Sequence, residues 1–336
     1  MASFVKVGEK WRAHVRRSGQ KPITKTFPSK PLAIKWATSV EASLDAGKYQ
    51  DTRGLNSITF GHLIRDYREQ IGGKKGFGKN KEAVLKFLEC ALGDTPMSKM
   101  DDETIIEFIK MRRRAGASGV TISIDLTYIG SVFKVARQLW KMPVSLDPIT
   151  TARANMKHLR ISTKSQERSR RPKTDELNKL CEYFDTHSKL PMRDIIWFAV
   201  HTAMRLGEIT SITWSDIDHE NKTVVIRDRK HPNQKEGNDQ EVPLLGEAYE
   251  IAARQPKTDE RVFPVKAGTI SSIFPRACQA LGIEDLRFHD LRHEGVSRLF
   301  ERGFKIEQVS MVSGHRDWKM LKRYTQLKAA DLHRFY

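Results

Sequence analysis

The stretch Phe288-His289-Asp290-Leu291-Arg292-His293 decides how the last third of this chain is read. It stands at the head of an apolar-periodic run from Leu291 to Arg302, which predicts a helix. Ser313-Gly314-His315 follows, and nine residues after that histidine comes Tyr324. Upstream, Arg205 sits in Ala203-Met204-Arg205-Leu206-Gly207-Glu208, at the end of an apolar helix expected over residues 194–206. Lys222-Thr223-Val224-Val225-Ile226-Arg227 and Gln240-Glu241-Val242-Pro243-Leu244-Leu245 read as two strands, and the polar, Gly-containing segment between them as a hairpin loop. Further helices are expected from about 174, with Thr174 as N-cap, over 270–281 and 306–312, and around 320–327. Residues 174–336 are therefore expected to form a mostly helical domain with one small antiparallel sheet.

Two arginines can each fork onto the non-bridging oxygens of one phosphate, which lysine cannot do bidentately. Guanidinium and imidazole N–H groups aimed at a pentacovalent phosphate stabilise its developing charge. A tyrosine hydroxyl near such a cluster is a candidate nucleophile. Taken singly, each element has an ordinary explanation. Arg205 could cap a helix C-terminus, His289 could be a core histidine and His315 a turn residue, and Tyr324 shares a helical face with Met320, Leu321 and Leu327. The order Arg, His-x-x-Arg, Gly-His, Tyr within one basic domain favours the chemical reading. The sequence has no Walker A loop, no GxGxxG after a strand, no HExxH, no EF-hand and no acidic cluster of two-metal type, so neither a cofactor nor a metal is expected.

The remainder of the chain divides by composition. Residues 1–55 hold 11 Lys+Arg against 4 Asp+Glu, a net of +7. Strands are expected around residues 11–16 and 23–27 with a turn at Ser18-Gly19, then a helix whose face carries Leu32, Trp36, Val40 and Leu44. Residues 56–152 show four apolar stripes: Phe60, Leu63, Ile64 and Tyr67; Val84, Leu85 and Leu88; Ile105, Ile106 and Ile109; and Tyr128, Ile129, Val132, Phe133 and Ala136. Such stripes predict a small helical bundle. Lys110-Met111-Arg112-Arg113-Arg114 suits either a phosphate backbone or a helix C-terminus. Residues 153–173 carry eight Lys+Arg and one Glu without apolar periodicity, which predicts an extended basic linker, either merely solvated or crossing DNA as a strap. The expected fold class is thus mainly α with small β-sheets (α+β), in several domains.

Over the 336 residues, 59 Lys+Arg against 41 Asp+Glu give a net charge of +18, which favours a polyanionic partner through counterion release. An apolar fraction of 39% supports real cores. The three cysteines, Cys90, Cys181 and Cys278, are too few and too scattered for a disulfide framework or zinc ribbon and fit a reducing cytosol. No apolar run of the ~18 residues needed to span a bilayer is apparent, nor a signal-peptide core. The expected setting is cytoplasmic, with no membrane partner.

The motifs together resemble the tyrosine recombinase (phage integrase) family. They are Met204-Arg205-Leu206-Gly207-Glu208, His289-Asp290-Leu291-Arg292-His293, Ser313-Gly314-His315 and Arg323-Tyr324, with Val242-Pro243-Leu244 in the second hairpin strand. The resemblance spans roughly residues 174–330, extends more loosely to a core-DNA-binding domain over 56–152, and makes residues 1–55 similar to an arm-type DNA-binding module. It implies that Arg205 and Arg292 clamp the scissile phosphate, that His289 and His315 donate hydrogen bonds to it, and that Tyr324 attacks it. The product would be a 3′-phosphotyrosyl link, with neither ATP nor metal required. A hairpin lysine would protonate the leaving 5′-oxygen. Lys235, seven residues before Val242 with Gly237 between, fits better than Lys230. Glu208 would support the first arginine, and Asp290 would orient a neighbour. The implied function is site-specific recombination at the nucleoid of a bacterial host, integrating a phage or mobile element, with its excision as a further candidate. The implied partners are double-stranded DNA bearing core and arm sites and a homotetramer of this chain, with a host DNA-bending protein and an excisionase as further candidates. A non-catalytic DNA-binding protein of the same fold and a relaxing enzyme of type IB topoisomerase kind are the competing readings.

Overall fold

The computed structural model describes residues 2–17, 22–47, 49, 51–73, 76–165, 167–231 and 236–324. The chain divides into two compact units, residues 1–166 and 167–336.

The first unit begins with an antiparallel sheet of order β1-β2-β3 (β1 Ala2–Val7, β2 Lys10–Val15, β3 Ile23–Phe27), followed by α1 (Lys30–Asp45). Strand alternation turns Ala13, Val15 and Ile23 inward, where Ala33, Ala37, Val40 and Leu44 of α1 meet them. The expected helix stripe is therefore displaced: Leu32 is exposed and Trp36 half-buried beside Phe27, with ring centroids 5.5 Å apart. The small Ala33 and Ala37 take the inner positions because a helix lying close on a sheet leaves little room there. β1 adds a third strand to the expected pair. Its Val5 and Val7 point outward, so the strand carries no clean inward apolar signal. The expected Ser18-Gly19 turn lies outside the described residues.

A helical bundle follows: α2 (Phe60–Gly72), α3 (Lys79–Leu92), α4 (Asp102–Arg114), α5 (Gly119–Gln138) and α6 (Asp147–His158). Side chains close several of the helix starts. Thr59 accepts from the His62 amide, Asp101 from Thr104 at 3.0 Å and Ser118 from Thr121 at 3.2 Å. The expected stripes form the core, except that Val84, Ile106 and Tyr128 are half-buried, and Phe108, outside the stripes, is buried. Contrary to the expectation that no segment is apolar enough to span a bilayer, α5 passes that test by length and composition. Half of its most apolar window is packed inside the bundle, and its buried Asp125 accepts from Arg112 at 2.8 Å. Arg112 is thereby taken out of the basic cluster at the end of α4. Residues 153–158, expected to be extended linker, are the last turns of α6. Ile149, Ala152 and Met156 form a short buried stripe that the surrounding charges obscured.

The second unit contains α7 (Thr174–His187), α8 (Met192–Thr202), the single turn α9 (Leu206–Ile209), a three-stranded antiparallel sheet β4-β5-β6 (Ile217–Asp218, Thr223–Ile226, Gln240–Pro243), α10 (Ala248–Ala253), α11 (Ala267–Ala280), α12 (Phe288–Glu301) and α13 (Ile306–Ser313). The hairpin register pairs Val224 with Val242, both fully buried. Lys173, not Thr174, occupies the N-cap of α7. The helix expected over 194–206 stops at Thr202, because Ala203 adopts a left-handed conformation with φ of 51°. That break starts a new helical turn at Arg205. The helix expected around 320–327 is, over its described part, two 3-10 turns, Trp318–Met320 and Lys322–Tyr324, anchored by the fully buried Leu321.

Candidate active site

The site is assembled where α12 crosses the end of α8. A Cβ added to Gly295 would lie 2.4 Å from the Val200 carbonyl oxygen and 3.1 Å from Ala203, so glycine at this position lets the two helices touch. Arg292, one turn earlier on α12, donates from Nη1 to the Ala203 carbonyl at 2.8 Å. Arg205 leaves the same joint two residues later. Its backbone N–H donates to Glu208 Oε2 at 3.0 Å, and its Nη1 to Glu208 Oε1 at 2.6 Å. One structural knot therefore fixes both arginines. Arg292 is 3% exposed. Burial, with the Arg205 charge next, draws its pKa below the ordinary guanidinium value.

The turn after α13 supplies His315. Gly314 closes α13 in the left-handed region, and Ser313 Oγ donates to the Val309 carbonyl at 2.6 Å. The Ser313 proton being committed, its oxygen accepts from His315 Nδ1–H at 2.7 Å. Nε2 then carries the lone pair and accepts from Arg292 Nη2 at 3.2 Å. Burial first, then Arg292 and Arg205, push the His315 pKa down from 6.5 to about 3. The imidazole is therefore neutral near pH 7.

Tyr324 ends the last described turn, with its hydroxyl hydrogen-bonded to His293 Nδ1 and its ring near-parallel to Phe300 at 6.5 Å. Burial raises the phenol pKa, against the pull of Arg323 and Arg292. His289 stands edge-on to His293, with centroids 5.0 Å apart. Burial, then Arg292, lowers the His289 pKa. Burial and His289 lower that of His293 to about 4, so His293 orients the phenol better than it could accept its proton. Arg205, His289, Arg292, His315 and Tyr324 thus share one electrostatic neighbourhood. Lys235 lies outside the described residues, and Lys230 is exposed.

Three groups escaped the sequence reading. His293 was quoted within its motif but given no role. Arg229 follows β5 in a run that reads as solvated loop, yet is buried. The basic connector is the third. Arg168 pairs with Asp285 at 2.7 Å and with the fully buried Asp290 at 2.9 Å, and Arg171 with Glu294 at 2.8 Å and Glu301 at 2.6 Å. Arg323 donates to the Arg168 carbonyl at 2.9 Å. These arginines are committed to acids of their own unit, which argues against their being a strap reserved for DNA. Asp290 and Glu208 do act as orienting carboxylates: Asp290 also accepts from the Arg287 amide at 2.9 Å, and burial at Glu208 is outweighed by Arg229 and Arg205, which lower its pKa.

The unit that carries these residues is similar to known proteins. The model of the phage integrase family matches residues 170–331. The shufflon-specific DNA recombinase of Escherichia coli is 35% identical over 218 residues, 64% of this chain and 53% of that protein, so this chain matches about half of that relative's length. A putative integrase/recombinase of Haemophilus influenzae is 27% identical over 96% of this chain and 86% of its own. Among solved structures, a lambda integrase tetramer bound to a Holliday junction superposes with a TM-score of 0.64 at 19% identity, over 96% of both chains. A lambda integrase dimer bound to a core site gives 0.64 at 18% identity, over 99% of this chain and 95% of the other. At that identity the structural likeness speaks for the fold.

Proposed function

We propose that this chain is a tyrosine recombinase of the phage integrase family, a site-specific DNA recombinase that cuts DNA with Tyr324. Arg205 and Arg292 fork onto the non-bridging oxygens of the scissile phosphate, and His289 and His315 hydrogen-bond to it. The Tyr324 oxygen forms a bond to phosphorus as the bond to the 5′-oxygen breaks. The phenol proton is released, and Lys235 protonates the departing 5′-oxygen. The resulting 3′-phosphotyrosyl link retains the energy of the phosphodiester. A 5′-hydroxyl of the partner strand then attacks it and restores Tyr324. The observation that carries the reading is the convergence of two arginines from separate helices on one buried cluster that also feels the Tyr324 phenol.

Residues 1–55 serve as the arm-binding module, 56–152 as the core-binding domain, 153–173 as the connector and 174–336 as the catalytic domain. The outer sheet face bearing Lys10, Arg12 and His14 supports the first assignment, since its strand register places these side chains opposite the core. The working assembly is a homotetramer on two DNA duplexes, as in the lambda integrase complex on a Holliday junction. A host DNA-bending protein and an excisionase are its further partners, the site of action is the cytoplasm of a bacterial host, and the substrate is a phage or other mobile element.

The test is a nicked suicide substrate, in which the leaving fragment diffuses away, run on a denaturing gel. The wild-type chain should give a covalently shifted band. Tyr324→Phe should bind the same DNA and give none. A shifted band from Tyr324→Phe would remove Tyr324 as nucleophile.

A further inference from the structure

Arg229 belongs to none of the motifs above, lying in the polar run Arg227-Asp228-Arg229-Lys230. Its side chain is nevertheless 2% exposed and the bulkiest of the fully buried ones. Burying a cation is unfavourable unless its partners are well placed. The partners of Arg229 come from three parts of the site. Nη1 donates to Gln240 Oε1 on β6 at 3.2 Å and to the Met311 carbonyl at 3.3 Å. Nη2 donates to the Val312 carbonyl at 2.9 Å, immediately before Ser313-Gly314-His315. Nε, which has no hydrogen-bond partner among the described residues, faces Glu208 Oε1 at 3.6 Å, the oxygen that also holds Arg205. The backbone closes the hairpin as well: the Arg229 N–H donates to the Asn238 carbonyl at 2.8 Å, and the Arg229 carbonyl accepts from Asn238 Nδ2. Gly314 completes the fit, since a Cβ there would lie 2.4 Å from Arg229 Cζ.

We propose that Arg229 is a positioning residue that ties the two described ends of the β5–β6 connection, Arg229 and Asn238, to the His315 turn and the Glu208–Arg205 pair. It does not touch the phosphate. It sets where the chain leaves β5 and where it returns toward β6, the connection whose sequence includes Lys235. The proposal rests on the recombinase reading with Lys235 as general acid. Lysine at this position would keep the charge against Glu208 but could not span the Gln240, Met311 and Val312 acceptors with one planar fork.

The test compares two suicide substrates with the full-length chain. One carries an ordinary scissile phosphate. In the other, sulfur replaces the 5′-bridging oxygen, and a thiolate leaves without needing a proton. Arg229→Lys should bind DNA with wild-type affinity and cleave the ordinary substrate about 10²-fold more slowly, the lower end of a general-acid contribution. The sulfur substrate should restore most of that loss, as it should for Lys235→Ala. Asn238→Ala, which cuts the same lock from the other strand, should behave alike and serves if Arg229→Lys does not fold. Wild-type cleavage of the ordinary substrate by both variants, or an equal loss on both substrates, would overturn the proposal. If Lys235→Ala alone resists rescue, the assignment of Lys235 fails while rescue of Arg229→Lys still supports the lock.

Discussion

At the scale of the residue, His315 is the clearest case of a group set up for a partner not yet bound. Its Nε2 accepts from Arg292, and burial, then the neighbouring guanidiniums, hold its pKa near 3. A phosphate arriving at Arg292 takes over that N–H and brings negative charge, so the imidazole gains a reason to protonate and become a donor. In a pH titration followed by NMR, the His315 ring should stay neutral in the free chain down to pH 5 and titrate at higher pH in the DNA complex. An unchanged midpoint on binding would mean that the ring does not meet the phosphate. The sign for stability follows. A histidine with a depressed folded pKa leaves the unfolded chain binding more protons below its ordinary value of 6.5, so acidification from there toward about 3 favours unfolding. Arg205, His289, Arg292, His315 and Tyr324 could be read in the sequence because their types and order form a pattern. Arg229 could not, because a buried arginine in a hairpin loop is written in the same letters as a solvated one. His293 was visible but carried no signal that its ring, rather than its neighbour's, meets the phenol.

At the scale of the element, the connector teaches the most. Its charge density predicted an extended basic segment. Two departures were hidden by that charge: the final turns of α6, whose buried Ile149, Ala152 and Met156 are spaced as a helix face, and the arginines folded onto α12. Arg168 matters doubly, since its guanidinium neutralises Asp290 beside His289 and its carbonyl receives Arg323 beside Tyr324. Arg168→Ala leaves Asp290 buried with, among the described residues, the Arg287 amide as its remaining hydrogen-bond partner. The expected cost is ~3 kcal/mol, the lower end for removing one partner of a buried pair, because Arg168 is itself a quarter exposed. At ~2–4 °C per kcal/mol for a unit of this size, calorimetry should show the melting midpoint of that transition fall by roughly 6–12 °C. Adduct formation should fall more than DNA affinity. An unchanged midpoint would show the Arg168–Asp290 pair to be idle. Element boundaries were legible where a stripe was long, as in α2 and α5, and not where one φ value decides, as at Ala203.

At the scale of the whole molecule, the excess of 59 Lys+Arg over 41 Asp+Glu and the sequence of sheet module, helical bundle and mixed domain were all readable from composition and periodicity. What no period or count contains is closure. Arg205 and Arg292 stand 87 positions apart, and only the contact of α8 with α12 through Gly295 makes them neighbours. The central claim is that both guanidiniums answer the charge of one phosphate. The direct measurement uses a scissile methylphosphonate, whose methyl group replaces one charged oxygen, alongside the ordinary phosphodiester. Arg205→Ala and Arg292→Ala should each lose about 10²–10³-fold in cleavage of the phosphodiester, the usual cost of removing one transition-state donor, and regain most of it on the methylphosphonate, where one cation suffices. Tyr324→Phe should remain inactive on both. An undiminished defect of either arginine variant on the methylphosphonate would contradict the account.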